Sequence, residues 1–346
     1  MTAHSQRGVA LLTILLLVVS ITVVAGAMLA SQKIAIRRSG VLFDQNQLLE
    51  DIHAGEQLAI TLIRADSTLN DTDSSQDIWA QPLPPYRLGT HSISAELRDE
   101  ASRFNINNLY HDGKTDTVAL EVLQRLLTQL NLAPEIAVAI LDWQDADTEV
   151  YKDGGDESVV YKPSASMGAT SALPNQPFVS IEQLQEVRGV SAETLATLRP
   201  YLTAVPYYLP ININTASPEL LGALIEGNSA EQMQPLVTLR QQQPIAAVND
   251  IWQLLPFITL NNKQRSALAP LLAVNSSAFM ALITATDSGN NDKARQRFAT
   301  VIISKIDAAP ATKNNNANSN DNTNNEQGAK VIKVVSQRLW AFRPIF

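Results

Sequence analysis

The sequence predicts an α+β protein: a long N-terminal helix that crosses a membrane and continues as a stem, then an antiparallel sheet interrupted by a large all-helical insertion. Three observations carry this. No charge interrupts the run from Gly8 to Ala30. Residues 117–274 read as short helices parted by turns, and segments rich in Val, Ile and Thr lie after that block, with alternating residues before it.

The anchor comes first. A hydrocarbon core about 30 Å thick takes about 20 helical residues to cross, whereas the apolar part of a cleavable secretory signal is about 7 to 15 residues long. Residues 9–30 therefore predict a retained transmembrane helix behind a leader of residues 1–8. Thr13, Ser20 and Thr22 are tolerable within it because a hydroxyl can bond to the carbonyl one turn earlier. Residues 31–65 continue as a stem, with Val41, Leu48, Ile52, Gly55, Leu58, Ala59, Leu62 and Ile63 near helical spacing. A polar stretch from Asp66 to Asp77 and the prolines Pro82, Pro84 and Pro85 end it.

Residues 78–110 and 276–346 are assigned to the sheet. Tyr86 to Leu97 alternates around Gly89, and Arg103 to Asn107 reads as a short partner strand. Phe279 to Thr286, Arg297 to Ile306 and Lys330 to Trp340 supply three more strands rich in β-branched residues. Residues 308–330 join the last two as a disordered loop, since eight of the twelve residues from Asn314 to Asn325 are Asn and offer nothing to a core. In the insertion, residues 111–275, helices are predicted over Val118–Leu130 and Ala133–Trp143. Two more span Ser180–Leu198, broken at Arg188-Gly189-Val190, and another opens with Ser217 as cap and Pro218 in its first turn. Val248 to Leu255 parallels Ser180 to Leu184, which suggests a repeat.

Composition narrows the chemistry. A formal charge of -8 opposes nucleic-acid binding, which needs a basic face. The absence of Cys removes disulfides, thiol catalysis and cysteine-zinc sites. His4, His53, His91 and His111 form no H-E-x-x-H pattern and read as surface or boundary residues; no G-x-S-x-G or P-loop motif occurs, so no enzyme is predicted. Trp143, Trp252 and Trp340 sit in apolar surroundings and read as packing residues. The densest acidic segment holds Asp142, Asp145, Asp147, Glu149, Asp153, Asp156 and Glu157 around Gly154 and Gly155. Carboxylates on a glycine-containing loop suit calcium, though the EF-hand spacing is absent and a solvated acidic loop fits as well. The Ile211-Asn212-Ile213-Asn214-Thr215-Ala216 stretch and the two related blocks resemble helix-hairpin-helix repeats, which grip DNA phosphates through glycine turns. The first turn has one glycine, Gly189, and Leu255-Pro256-Phe257-Ile258 has none, so packing or partner contact is the stronger reading.

A polar leader ending in Gly8, followed at once by an apolar helix, is similar to that of the type IV pilin and pseudopilin family. The resemblance implies cleavage between Gly8 and Val9 by a prepilin peptidase, N-methylation of Val9, and Thr13 at the fifth mature position where most members keep glutamate. That glutamate is thought to pair with the neighbouring subunit's N-terminal ammonium, which an unpaired charge in lipid needs. A subunit with Thr13 instead suits the tip, where nothing lies above. Counting Lys33, Arg37 and Arg38 against Arg7 would by itself keep the C-terminal flank in the cytoplasm; the leader pattern outweighs it and predicts export.

More specifically, the chain resembles the minor pseudopilin K family of type II secretion, the general secretion pathway protein K family. The matching segments are Gln6 to Leu12, Arg103-Phe104-Asn105-Ile106-Asn107, Leu141-Asp142-Trp143 with Asp145 and Asp147, Asn175-Gln176-Pro177-Phe178, Leu198-Arg199-Pro200-Tyr201 and Asn212 to Ala216. This resemblance implies a pseudopilin sheet carrying a large helical domain, anchored in the inner membrane with its C-terminal part in the periplasm. It implies a non-enzymatic cap for the pseudopilus that helps start assembly and export. The partners implied are minor pseudopilins I and J in a tip complex, with H and the major pseudopilin as further candidates, and calcium is implied as a structural ion. The calcium candidates are Asp142, Asp145, Asp147, Asp153, Asp156 and Glu157; where the family reads Gly-Ala-Glu-Asp, this chain has Gly155-Asp156-Glu157-Ser158 and loses the last carboxylate. A membrane-anchored DNA-uptake protein is the alternative.

Overall fold

A computed structural model describes residues 6–154, 175–289, 294–307 and 330–346. Helix α1 (Gln6–Leu69) runs unbroken for 64 residues, about 96 Å at 1.5 Å per residue. Its two halves differ in what they touch. From Val9 to Phe43 the large apolar side chains are exposed, whereas Leu48, Ile52, Gly55, Ala59 and Ile63 are buried along one face. Val41, expected on that face, stays exposed.

The buried face lies on a five-stranded antiparallel sheet of order β1-β2-β9-β10-β11, made of β1 (Tyr86–Leu88), β2 (His91–Asp99), β9 (Ala278–Asp287), β10 (Arg295–Asp307) and β11 (Lys330–Trp340). Alternate residues Ile93, Phe279, Ala281, Ile283, Ala285, Ala299, Val301 and Ile303 pack with the stem in one core, joined by Trp79, whose ring meets that of Phe279 edge-on at 5.1 Å. This is the period-two pattern of a sheet with one face covered. At Gly55 the helix comes so close that an added Cβ would stand 2.4 Å from Ile283 Cγ2 and 3.1 Å from Ile93 Cγ2. Asp51 and His91 Nδ1, 2.7 Å apart, tie stem to sheet as well. The segment expected to be one strand around Gly89 is a hairpin, with Leu88 opposite His91. In β10 and β11, Asp307 stands opposite Lys330; the Asn-rich tract between them lies outside the described residues.

Strands β2 and β9 are neighbours in the sheet yet far apart in sequence, because the helical domain is inserted between them. It contains α2 (Thr117–Gln129), α3 (Glu135–Gln144), α4 (Ala192–Leu198), α5 (Pro218–Ala223), α6 (Ala230–Gln242), α7 (Val248–Ile251) and α8 (Asn262–Leu268). Its caps follow the expected chemistry: Asp116 accepts from the amides of Val118 and Ala119, and Ser217 caps α5 ahead of Pro218. The first part of the Ser180 block is a 3-10 helix over Ile181–Glu186.

Short strands stitch this domain together: β3 (Phe104–Asn105) pairs in parallel with β6 (Leu202–Thr203), and β7 (Ile211–Asn212) with β8 (Leu272–Ala273). The Arg103–Asn107 segment was expected to partner the Tyr86–Leu97 strand; it pairs instead with β6, and Phe104, Ile106 and Leu109 are buried in the helical domain's core. The change from sheet to helical packing therefore falls before residue 104 rather than at 110. Strands β4 (Tyr110–His111) and β5 (Lys114–Thr115) form a hairpin through Asp112 and Gly113, both with positive φ (52° and 72°), as an Asp-Gly turn requires. Trp143 stacks on Phe178 at 5.6 Å in this core, Trp252 packs at its edge, and Trp340 donates its Nε1 hydrogen to Thr300 across β10 and β11.

Candidate functional site

At the N-terminal end, residues 1–5 lie outside the described residues. α1 is the one helix among those described that is long and apolar enough to cross a membrane; an 18-residue window has mean hydropathy 2.8 and none of it is buried. Its polar residues look after themselves. Thr13 Oγ1 donates to Ala10 O at 2.9 Å, Ser20 to Leu16 O at 2.8 Å and Thr22 to Val18 O at 2.7 Å. Thr13 thus carries no charge and leaves no donor seeking a partner.

The acidic segment begins inside α3 and ends beyond it. Asp142 and Asp145 are buried, while Asp147, Glu149 and Asp153 are exposed. The Tyr151 amide donates to Asp142 Oδ1 at 3.2 Å, and Asn175 reaches back to the Asp147 carbonyl at 3.0 Å. Asp145 Oδ1 is buried with no hydrogen-bond partner among the described residues. Burial, then the charges of Asp147 and Asp142, push the Asp145 carboxyl up to about 7. Asp156 and Glu157 lie outside the described residues.

Sequence reading missed two features at the junction of stem, sheet and helical domain. One is a set of buried asparagines that bond like strand edges. Asn105 grips both backbone groups of Val205, Asn107 those of Phe178, Asn108 those of Leu209 and Asn214 those of Ile245, each donating from Nδ2 to the carbonyl and accepting at Oδ1 from the amide. Asn212 extends the set toward the stem, donating to the Asp73 carbonyl and to Asp99 Oδ2, both at 2.9 Å. The signal available was the repeated Asn-Ile-Asn core flanked by apolar residues. The other is a trio of carboxylates, Asp66, Asp73 and Asp77, with oxygens all within 4.8 Å of one another. Burial and then the charges of Asp77 and Asp73 raise Asp66 to about 6.

Neither of the two helix-hairpin-helix turns has the paired glycines of an anion-binding hairpin. Gly189, at φ 85°, backs onto Ile136, and the Leu255-Pro256 turn has a cis peptide and no glycine.

A long helix, apolar, exposed and long enough to cross a membrane in its first half, and packed on an antiparallel sheet in its second, defines a pilin-like architecture. The family described as Type II secretion system (T2SS), protein K matches residues 102–207 and again 211–275. Type II secretion system protein K of Pseudomonas aeruginosa is 30% identical over 234 residues, which cover 64% of this chain and 69% of that one. That of Klebsiella pneumoniae is 27% identical over 292 residues, covering 80% and 87%. A chain from the crystal structure of the GspK-GspI-GspJ complex from the enterotoxigenic Escherichia coli type 2 secretion system shares the fold with a TM-score of 0.69 at 20% identity, covering 88% of this chain and 99% of that chain. The chain belongs to the type II secretion system protein K family.

Proposed function

We propose that the chain is the minor pseudopilin that caps the tip of the type II secretion pseudopilus and helps start its assembly, acting as a structural subunit and not as an enzyme. The observation that carries this is Thr13, the fifth residue after a cut at Gly8, whose hydroxyl is satisfied by Ala10 within its own helix. A neutral, self-satisfied residue offers nothing to a charged N-terminus above it, and in lipid a subunit can do without that pairing only where no neighbour is stacked on it. On this reading the prepilin peptidase cuts between Gly8 and Val9, Val9 becomes the methylated N-terminus, α1 sits in the inner membrane, and the sheet and helical domain stand in the periplasm. Minor pseudopilins I and J are its immediate partners; their counterparts are named together with GspK in the solved complex whose chain shares this fold. The DNA-uptake alternative is not favoured, since the curated relatives are secretion proteins.

Calcium belongs to the same proposal. Asp142, Asp145, Asp147 and Asp153 would hold it, with Asp156 and Glu157 from the neighbouring segment. The donor set is all oxygen, and the buried Oδ1 of Asp145, unpartnered among the described residues, is what a hard cation would satisfy. When bound, the ion would neutralise the acids and fix the loop against α3.

Cross-linking in cells with an intact secretion system tests the tip position: single capture of I and J is expected, and a regular ladder of this chain along the fibre would refute it. Mass spectrometry of the purified chain is expected to find methylated Val9 first.

A further inference from the structure

We propose that Asp66, Asp73 and Asp77 form a second site for a hard divalent cation, where the stem helix ends against the sheet. Their carboxylate oxygens converge within 4.8 Å. Asp66, at the end of α1, is only 1% exposed, yet among the described residues its buried Oδ2 has no hydrogen-bond partner, while its Oδ1 accepts from Asn70 at 3.3 Å. Asp73 is equally buried and accepts from Lys305 Nζ at 2.7 and 2.5 Å and from the Ser276 amide at 2.7 Å. Asp77 accepts from the Ser74 amide at 2.6 Å and remains half-buried, which leaves a side open to solvent.

Charge decides between an ion and a satisfied cluster. Among the described residues the salt bridges bring only Lys305 to these three acids. Three carboxylates against one ammonium leave an excess of two negative charges in a largely dry place, where uncompensated charge is costly. A proton on Asp66 would remove one of them. A divalent cation removes both and gives Asp66 Oδ2 the partner it lacks; carboxylate oxygens are the ligands that calcium or magnesium prefers.

The position gives the ion a task. The Asp73 amide donates to the Val274 carbonyl at 3.1 Å and its carbonyl accepts from Asn212, so the same loop holds both β7 and the segment leading back to the sheet. An ion there would lock the end of the stem to the point where the helical domain joins the sheet. The site shares no residue with the Asp142–Glu157 loop and stands apart from the tip reading.

Calcium binding to the metal-stripped full-length chain in detergent micelles, counted by equilibrium dialysis, tests it. In an Asp145→Asn background, which disables the acidic loop, calcium is expected still to bind. Adding Asp66→Asn or Asp77→Asn is expected to weaken that binding at least tenfold, with circular dichroism checking that each variant is folded; Asp77→Asn is the milder change because that side chain is half-exposed. Without calcium, Asp66→Asn is expected to melt no lower than the parent, because it removes a like-charge repulsion. No binding by the Asp145→Asn chain, or equal binding after Asp77→Asn is added, would overturn the second site. Made singly in the parent chain, Asp66→Asn is expected to keep the loop's ion; a single Asp66→Asn chain that binds nothing would show that the loop site had failed while the second site held.

Discussion

Asn108 closes its carboxamide on the backbone of Leu209: Nδ2 donates to the carbonyl at 2.7 Å and Oδ1 accepts from the amide at 2.9 Å, with both residues fully buried. The pair replaces a stretch of sheet where two loops meet about a hundred residues apart in sequence, and the geometry needs a donor and an acceptor on one short side chain. Asn108→Asp keeps the acceptor but turns a carboxylate oxygen toward the Leu209 carbonyl, leaving a buried charge and an unmet acceptor. The expected cost is about 3 kcal/mol or more, read as a shift of the denaturant midpoint. Asn108→Asp equal in stability to the parent would mean that the clamp contributes nothing.

Gly55 sets the distance between stem and sheet. An added Cβ would meet Ile283 at 2.4 Å, closer than real side chains approach, so Gly55→Ala must push the stem off β9. About 1–3 kcal/mol of destabilisation is expected. Gly40, on the same helix, has nothing within 4 Å of an added Cβ, and Gly40→Ala is expected to be neutral or stabilising by up to about 1 kcal/mol in the isolated chain. Thermal melts of the two variants side by side separate crowding at Gly55 from simple helix propensity.

How much of this was legible in the sequence follows from which interactions are local. The apolar helix announced itself because no charge interrupts residues 9–30, a run long enough to cross a bilayer, and the last three strands because β-branched residues alternate. That β2 lies beside β9 had no local signal: Ile93 and Ala285 meet only because the helical domain closes on itself and returns the chain to its starting point. The Asp142 loop stood out by charge density, but that Asp145 is buried there had no sequence signal. Asp66, Asp73 and Asp77 read as a helix-ending polar stretch, since nothing nearby in sequence reveals that Lys305 and Ser276 come down on Asp73. The asparagines were visible as a motif, but Asn ordinarily marks exposed turns, and only the fold shows them buried.

Stability should depend on pH through Asp99. This carboxyl is fully buried; desolvation raises it from 3.8 to about 6 despite hydrogen bonds from Ser276, Thr215 and Asn212. Between those values the native state keeps a proton that the unfolded chain has released, so its contribution is complete below about pH 4 and is lost as pH rises through about 6. Asp66 and Asp145 act with the same sign, the latter up to about 7. In chelator, the melting temperature is therefore expected to fall as pH goes from 4 to 7, and Asp99→Asn should make the profile shallower by at most about 1.4 kcal/mol per pH unit. A profile as steep as the parent's would show that Asp99 is ionised throughout.

Thr13 supplies the sharpest contrast, because its two simplest replacements differ in charge and hardly in size. Thr13→Val removes only the bond to Ala10 O, an interaction within the helix worth about 1 kcal/mol at most; it leaves the anchor neutral, so secretion and the amount of mature chain in the membrane are expected to stay as in the parent. Thr13→Glu puts a carboxylate into lipid, at a cost of up to a few kcal/mol when no cation faces it. Inside a fibre the next subunit's ammonium would meet that charge, but at a tip nothing does. The Glu variant is therefore expected to be secretion-defective while Thr13→Val is not, measured as exported protein per cell beside the level of processed chain. Should Thr13→Glu support normal export and cross-link to copies of itself along the fibre, the residue would not be what keeps this subunit first.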